Sequence, residues 1–305
     1  MDEYPKTLSE FEARFSTEES CRDYLWRLRW PEGFRCPRCG HEKAWAVGPA
    51  LFQCARCDYQ ISVIAGTIFH GTHKPLALWF RAIWWITGQK NGASALGIQR
   101  ILGLGSYRTA WAWLHRLRRA MVRPGRDRLA GMIEVDETYV GGEKRGKRGR
   151  GAAGKALVVV LVEVNDDRIG RIRLRCVPDG SAPSLEAAVQ EAAQPGAVVR
   201  TDGWRGYSQL DRLGYRHELV RKESDVGDSL LPSCHRIASL LKRWLLGTHQ
   251  GAVSPEHLDY YLDEFTFRFN RRTAKHRGQL LYRLLQNAMQ QPPVPYRQLI
   301  RKARD

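Results

Sequence analysis

Long hydrophobic runs, an acidic surplus and internal repeats are what this sequence lacks. No stretch of the 305 residues offers the roughly 18 consecutive apolar side chains needed to cross a bilayer. The apolar stretch 76–87 is short and carries Arg81, so it reads as a buried helix. The opening MDEYPKTLSEFEARF is polar and acidic, unlike a signal peptide. These absences predict a cytoplasmic chain without membrane attachment. In that reducing compartment disulfides are disfavoured, and the 7 cysteines read first as metal ligands or inert core. Acidic residues are the scarcer charge, 32 against 49 Lys and Arg, for a formal net charge of +17. Such an excess favours a polyanionic partner, because each phosphate neutralised releases counterions. Charge alone does not separate nucleases from ribosomal or membrane-surface proteins.

What is present organises the chain into successive textures. Residues 8–30 place apolar groups at three- and four-residue spacing, with Ser16 or Thr17 positioned to begin a second helix. A Pro- and Cys-rich segment follows to about Ile64, with short β signals in KAWAV and YQISVI. Pro75 opens the helix LALWFRAIWWIT, and further helices are expected over about 94–102 and 107–122. RPGRDR, at 123–128, reads as a linker. Beyond it GMIEVDETYV alternates, ALVVVLVEV is nearly continuous β texture, RIRLRCV alternates again, APSLEAAVQEAA is helical, and PGAVVRTDGW is a short buried strand ending in a turn. Basic helices are expected over about 235–246 and 254–270.

Two CxxC knuckles carry the strongest metal signal. Cys36-Pro-Arg-Cys39 and Cys54-Ala-Arg-Cys57 can each turn two thiolates toward one ion, and a short hairpin would unite them in a tetrahedral four-thiolate zinc site. Four thiolates leave no open position, so such a zinc is structural. In small peptides zinc of this kind contributes roughly 10–16 kcal/mol, enough to fold a segment with almost no core. Cys21, Cys176 and Cys234 have no partner spacing and read as buried or incidental.

Residues 92–119, two helices broken by a glycine turn, have the outline of a helix-turn-helix. Ser106, Tyr107, Arg108 and Thr109 would then begin a recognition helix that reaches bases or phosphates. An ordinary helical pair with its core at Trp111, Leu114 and Leu117 fits the same pattern.

Asp136 lies inside the strand IEVDETYVGG, and Asp202 follows the buried strand AVVRTDGW. Three strands, a helix, a strand and then helices is the order of a ribonuclease-H-like α/β domain, in which these two strands are neighbours. Both carboxylates can then meet at one sheet edge and hold Mg²⁺ while leaving room for phosphate oxygens. Taken singly, each Asp could equally be a turn former or a helix cap.

The segments CPRCG…CARC, GTIFHGTHKPLALWF, VDETYVGG, TDGWRGY, LLKRWLLGTH and YLDEFTFRFNRR together resemble a zinc-ribbon insertion-sequence transposase of the DDE superfamily, over about residues 20–280. The resemblance implies a multidomain α+β and α/β chain. Its expected parts are a zinc ribbon with N-terminal helices (1–70), a helix-turn-helix-like region (71–125), a ribonuclease-H-like catalytic domain with a mixed sheet flanked by helices (126–290), and a basic tail (291–305). It further implies structural Zn²⁺, catalytic Mg²⁺ or Mn²⁺, and double-stranded DNA partners: the terminal inverted repeats of an element and its target. A homo-oligomer on DNA is expected, because two ends must be held together. Asp136 and Asp202 become the first two catalytic metal ligands.

The third ligand departs from the pattern. The superfamily places a Glu on a helix, separated by six residues from a Lys or Arg; counting back from Lys242 reaches His235. An imidazole suits Mn²⁺ better than Mg²⁺. Glu223, Asp225 or Asp228 in the preceding loop could fill the role instead, or the site could be inactive. Lys242 shares a helix face with His235 and is a phosphate-contact candidate. Lys144, Arg145, Lys147, Arg148, Arg150 and Lys155, set among glycines, form a basic loop beside Asp136. Lys242, Arg243 and Trp244 form a second basic group; Arg268, Arg271, Arg272, Lys275, His276 and Arg277 form a third. Trp204 and Tyr207 could stack on an unpaired base, although aromatics so placed more often serve packing. The expected activity is cleavage and strand transfer of an insertion sequence. Its rivals are a catalytically inactive, domesticated DNA-binding protein and a ribonuclease-H-like nuclease.

Overall fold

A computed structural model describes residues 4–123, 125–141, 155–166, 168–220 and 230–300. The chain divides into two compact units, Met1–Arg123 with Thr273–Arg301, and Pro124–Arg272.

The first unit begins with helices α1 (Leu8–Arg14) and α2 (Glu18–Arg29). Thr17 and Ser20 close a reciprocal capping box at the start of α2, which satisfies donors the helix cannot pair internally. Strands β1 (Ala44–Gly48), β2 (Leu51–Cys54) and β3 (Gln60–Ser62) make an antiparallel meander. Helices α3 (Leu76–Gly88), α4 (Ala95–Ile101) and α5 (Tyr107–Ala120) follow. Aromatic packing holds them: Trp79 stacks on Trp113 at 3.8 Å, Phe11 on Trp84 at 4.8 Å, and Phe15 meets Phe80 at 4.8 Å. Pro75, ahead of α3, offers no side-chain cap. The Glu18 carboxylate takes over, accepting from the N–H groups of Leu76 and Ala77, both at 2.9 Å.

Helices α9 (Gly278–Gln290) and α10 (Tyr296–Leu299) return to this unit, where α9 packs on α2, α3 and α5. A side chain at Gly278 would overlap the Pro5 carbonyl, so the close approach depends on glycine. The expected catalytic stretch ran to 290. The compact second unit ends at Arg272 instead, because Leu280, Leu281, Leu284 and Leu285 give α9 a buried apolar face of its own.

The second unit is a five-stranded sheet in the order β6-β5-β4-β7-β8. Strands β4 (Met132–Val140), β5 (Ala156–Asn165) and β6 (Arg168–Val177) are antiparallel neighbours; β7 (Val198–Thr201) and β8 (Arg216–Leu219) run parallel to β4. Helix α6 (Ala182–Ala192) covers one face over a core of Ile133, Val135, Val159, Leu161, Leu185, Val189 and Val199. On β4 and β5, α7 (Pro232–His249) contributes Cys234, Ile237, Leu241 and Leu245 to the buried set; α8 (Leu258–Phe269) packs on β6. Cover on both faces explains why β5 is apolar almost throughout. The chain order is the ribonuclease-H-like one expected. Strands β2 and β8 and helix α9 are additions to that expectation. Among the described residues no helix is long and apolar enough to cross a membrane.

Candidate metal centres and nucleic-acid interface

The four knuckle cysteines converge. Cys36 Sγ lies 3.7 Å from Cys57 Sγ, and Cys39 Sγ lies 3.6 Å from Cys54 Sγ. All four sulfurs fall within 4.8 Å of one another. Tetrahedral Zn–S bonds of about 2.3 Å require S···S separations of about 3.8 Å, so the set fits a structural zinc. The backbone reason is repeated in both knuckles. The residue four beyond the first cysteine, Gly40 (φ +74°) or Asp58 (φ +55°), is left-handed and closes the turn through its N–H to that cysteine's carbonyl. Burial raises the Cys54 thiol, but the N–H groups of Arg56 and Cys57 and the neighbouring thiols outweigh it and bring the group down to about 7. That direction favours the thiolate a metal needs. Burial does the reverse at Cys21, pushed up to about 12, which leaves it inert.

The second constellation is built from three elements of the other unit. On β4 the odd residues Ile133 and Val135 enter the α6-side core, so Glu134 and Asp136 share the α7 face. The parallel register pairs Met132 with Val198, Ile133 with Val199 and Glu134 with Arg200. Asp202 follows directly on the last residue of β7, and its charge acts on the Asp136 carboxyl. His235, in the first turn of α7, completes the group: its Nε2 lies 3.2 Å from Asp136 Oδ2. Burial raises the Asp136 carboxyl above its ordinary value, and the charges of Glu137 and Asp202 add to that; the Glu137 N–H, bonded at 2.8 Å, and His235 oppose it. A carboxylate with raised affinity for a proton and two acids nearby is a place where positive charge is wanted.

Asp202 is held by its turn. Its Oδ1 accepts from Trp204 N at 2.9 Å, and Gly203 takes φ +81°. Buried Thr201 accepts from Gly203 N at 3.2 Å and meets His217 Nε2 on β8 at 2.8 Å. Among the described residues the cysteines alone form a group of three or more ligands all within 4.8 Å. The Asp136, Asp202 and His235 set is therefore wider than one ion's shell, although its donor chemistry suits a divalent cation.

The expected interface residues separate into placed and spent. Ser106, Tyr107 and Arg108 are exposed at the start of α5, with Tyr107 at 53%; Arg108 lies over the Tyr296 ring at 5.5 Å. Trp111 is only half-buried; Trp113, Leu114 and Leu117 form the core of this helix. Lys242 and Arg243 are exposed on α7, and Lys242 shares the exposed face of His235. Trp204 is half-buried, its indole N–H donating to the Gly180 carbonyl at 3.1 Å. Tyr207 cannot stack on a base: it is fully buried and donates to Glu137 Oε2 at 2.9 Å. Trp244 packs against His249 and Phe265 instead of joining a basic surface. Arg268 pairs with buried Glu264, and Arg271 and Arg272 lie over Phe267 and Phe269, so these three arginines serve the fold. Lys144, Arg145, Lys147, Arg148 and Arg150 lie outside the described residues, as do Glu223, Asp225 and Asp228.

Sequence reading passed over Glu134. It is 7% exposed and accepts from Ser233 N at 2.9 Å, Cys234 N at 3.1 Å and Ser233 Oγ at 3.1 Å. The even-residue alternation of β4, shared with Asp136, was the only signal available.

Residues 128–270 match the family described as ISXO2-like transposase domain, and residues 16–60 match the transposase zinc-ribbon domain. No curated protein matches the chain.

Proposed function

We propose, from the premise that this chain joins a transposase zinc-ribbon domain to an ISXO2-like transposase domain, that it cuts and joins the ends of an insertion sequence by divalent-metal-dependent phosphoryl transfer. The observation that carries the reading is the meeting of Asp136 and His235 at 3.2 Å, with Asp202 near enough for its charge to act on Asp136.

Asp136, Asp202 and His235 would hold Mg²⁺ or Mn²⁺, and such an ion supplies Lewis-acid polarisation of the phosphate and a more acidic attacking oxygen. The Asp136 carboxylate, half-enclosed beside Glu137, fixes the edge at which the scissile phosphate is received. Asp202 is held through Oδ1 by the Trp204 N–H, which leaves its second oxygen for the ion in this reading. Lys242, two helical turns beyond His235 on one exposed face, neutralises backbone phosphate. Arg243, the basic residues at 144, 145, 147, 148 and 150, and Trp204 line the DNA path in this reading. Hydrolysis breaks a phosphorus–oxygen bond at the element end and leaves a 3′ hydroxyl. That oxygen then forms a bond to phosphorus in target DNA as the target's own 3′ oxygen departs, with no covalent enzyme intermediate. Ser106, Tyr107 and Arg108, with the zinc ribbon, recognise the terminal repeats. The protein acts in the cytoplasm, at the nucleoid, as a homo-oligomer bridging two ends.

A joining assay with labelled element ends and Mg²⁺ or Mn²⁺ tests this. Asp136→Ala, Asp202→Ala and His235→Ala should each lose at least about a thousandfold in joining, the equivalent of about 4 kcal/mol of transition-state stabilisation, while end binding persists. Joining that survives His235→Ala would move the third-ligand role to Glu223, Asp225 or Asp228. One rival is a non-catalytic DNA-binding protein, and wild-type protein that binds ends without cutting them in either metal would establish it. Cleavage without joining would point to a nuclease.

A further inference from the structure

We infer that Glu134 is the positioning residue for His235, and that its buried carboxylate sets the start of α7 over the strand that carries Asp136. The assignment rests on the proposed role of His235.

Helix α7 begins without a local cap. Its N-cap residue, Leu231, offers no side-chain acceptor, and Pro232 has no N–H to donate. The next two backbone donors, from Ser233 and Cys234, both go to Glu134 Oε2, while Ser233 Oγ reaches Oε1. One carboxylate thus satisfies three donors at the positive end of the helix. A second tether lies beside it. Cys234 Sγ donates to the Val160 carbonyl at 3.4 Å, and Val160 is the residue registered opposite Asp136 on β5. His235 is the next residue along. Its contact with Asp136 therefore runs parallel to the Glu134 contact, about 6.8 Å further along the same strand face.

Glu18 shows the same device in a setting without chemistry. It caps α3 behind Pro75 by accepting two backbone N–H groups, in the unit that does not contain the proposed catalytic set. Helix capping by a remote glutamate is therefore a structural habit of this chain. At α7 the habit is applied one residue before the candidate ligand. A capping role needs two well-placed acceptor lobes and no net charge; a metal-ligand role needs the charge.

The test uses full-length, zinc-loaded protein labelled with ¹⁵N-histidine, with the His235 imidazole signal identified by its loss in His235→Ala. Glu134→Ala should move that signal toward the position of a histidine without a carboxylate partner and reduce joining about 10- to 100-fold, as supporting contacts of ligands typically do. Glu134→Gln keeps the reach, with its carbonyl accepting the two N–H groups and its amide donating to Ser233 Oγ. It should restore the imidazole signal and bring joining to within a few-fold of wild type. Glu134→Asp keeps the charge but shortens the arm, and should behave like Ala. Glu18→Ala should leave the His235 signal in place. The inference is overturned if Glu134→Ala leaves the imidazole signal unmoved, or if Asp rescues and Gln does not. Should Glu134→Ala fail to fold, the Gln and Asp pair decides the question. The imidazole readout stands even if the wild type joins no ends, so failure of the transposition reading and failure of this assignment remain distinct.

Discussion

The two candidate metal centres differ in how they are assembled. Each thiolate pair of the ribbon comes from one tight turn, and all four sulfurs already lie at the spacing one tetrahedral ion requires. Asp136, Asp202 and His235 come from a strand, a turn and a helix spread over a hundred residues, and they stand further apart. A closed shell serves the fold, because nothing else can enter it; an open one keeps room for phosphate oxygens. The difference teaches that ligand spacing along the chain separates a centre already closed to one ion's size from a set of donors that stands wider.

The sharpest way to break this comparison is at the ribbon. Cys54→Ser should abolish zinc binding and unfold β1–β3, a loss on the order of 10 kcal/mol from that segment. Zinc content by atomic emission and hydrogen exchange of the β1–β3 amides report it. Retention of one zinc per chain with protected amides would show that the closed shell is not what holds the ribbon.

A smaller effect is expected at a closed polar cluster of the other unit. Buried Glu163 accepts from Arg171 Nη2 and from Ala130 N at 2.9 Å. Burial raises the Glu163 carboxyl, but the Arg171 bonds and the Ala130 N–H outweigh it and hold the group below its ordinary 4.5. A depressed carboxyl contributes stability above its unfolded value, and that contribution disappears as pH falls through the folded one. Glu163→Gln should therefore cost about 2–3 kcal/mol at pH 7, somewhat below a fully buried pair because Arg171 is 39% exposed. The cost should shrink below pH 4.5. Urea unfolding at pH 7 and pH 3 measures both, and an equal deficit at the two values would show that the ion pair is not its source.

The smallest effect belongs to the open site. Lys242→Ala should leave the urea midpoint unchanged and lower the slope of log affinity for DNA against log salt by about one, the signature of a single phosphate contact. An unchanged slope would remove Lys242 from the interface.

Much of this was legible from local pattern. Both CxxC knuckles, the capped start of α2 and the long strands β4, β5 and β6 announce themselves within a few residues. Strand β8 does not: Arg216–Leu219 is four mostly polar residues at the sheet edge, which alternation cannot distinguish from a loop. The surroundings of Tyr207 and Trp244 were not legible locally, because their partners, Glu137 and α8, lie elsewhere in the chain. Glu134 was invisible for the same reason. A glutamate in an alternating strand reads as solvent-facing until a helix almost a hundred residues later is laid across it.

At its centre β4 thus serves two masters by parity, with Ile133 and Val135 in the α6-side core and Glu134 and Asp136 on the α7 face. Insertion or deletion of one residue within it would exchange the two sets along the rest of the strand, turning carboxylates into the apolar core under α6 and apolar side chains onto the α7 face. Evolution can lengthen or shorten the surrounding loops at little cost, but the strand itself is a fixed-length word whose spelling can change only letter for letter.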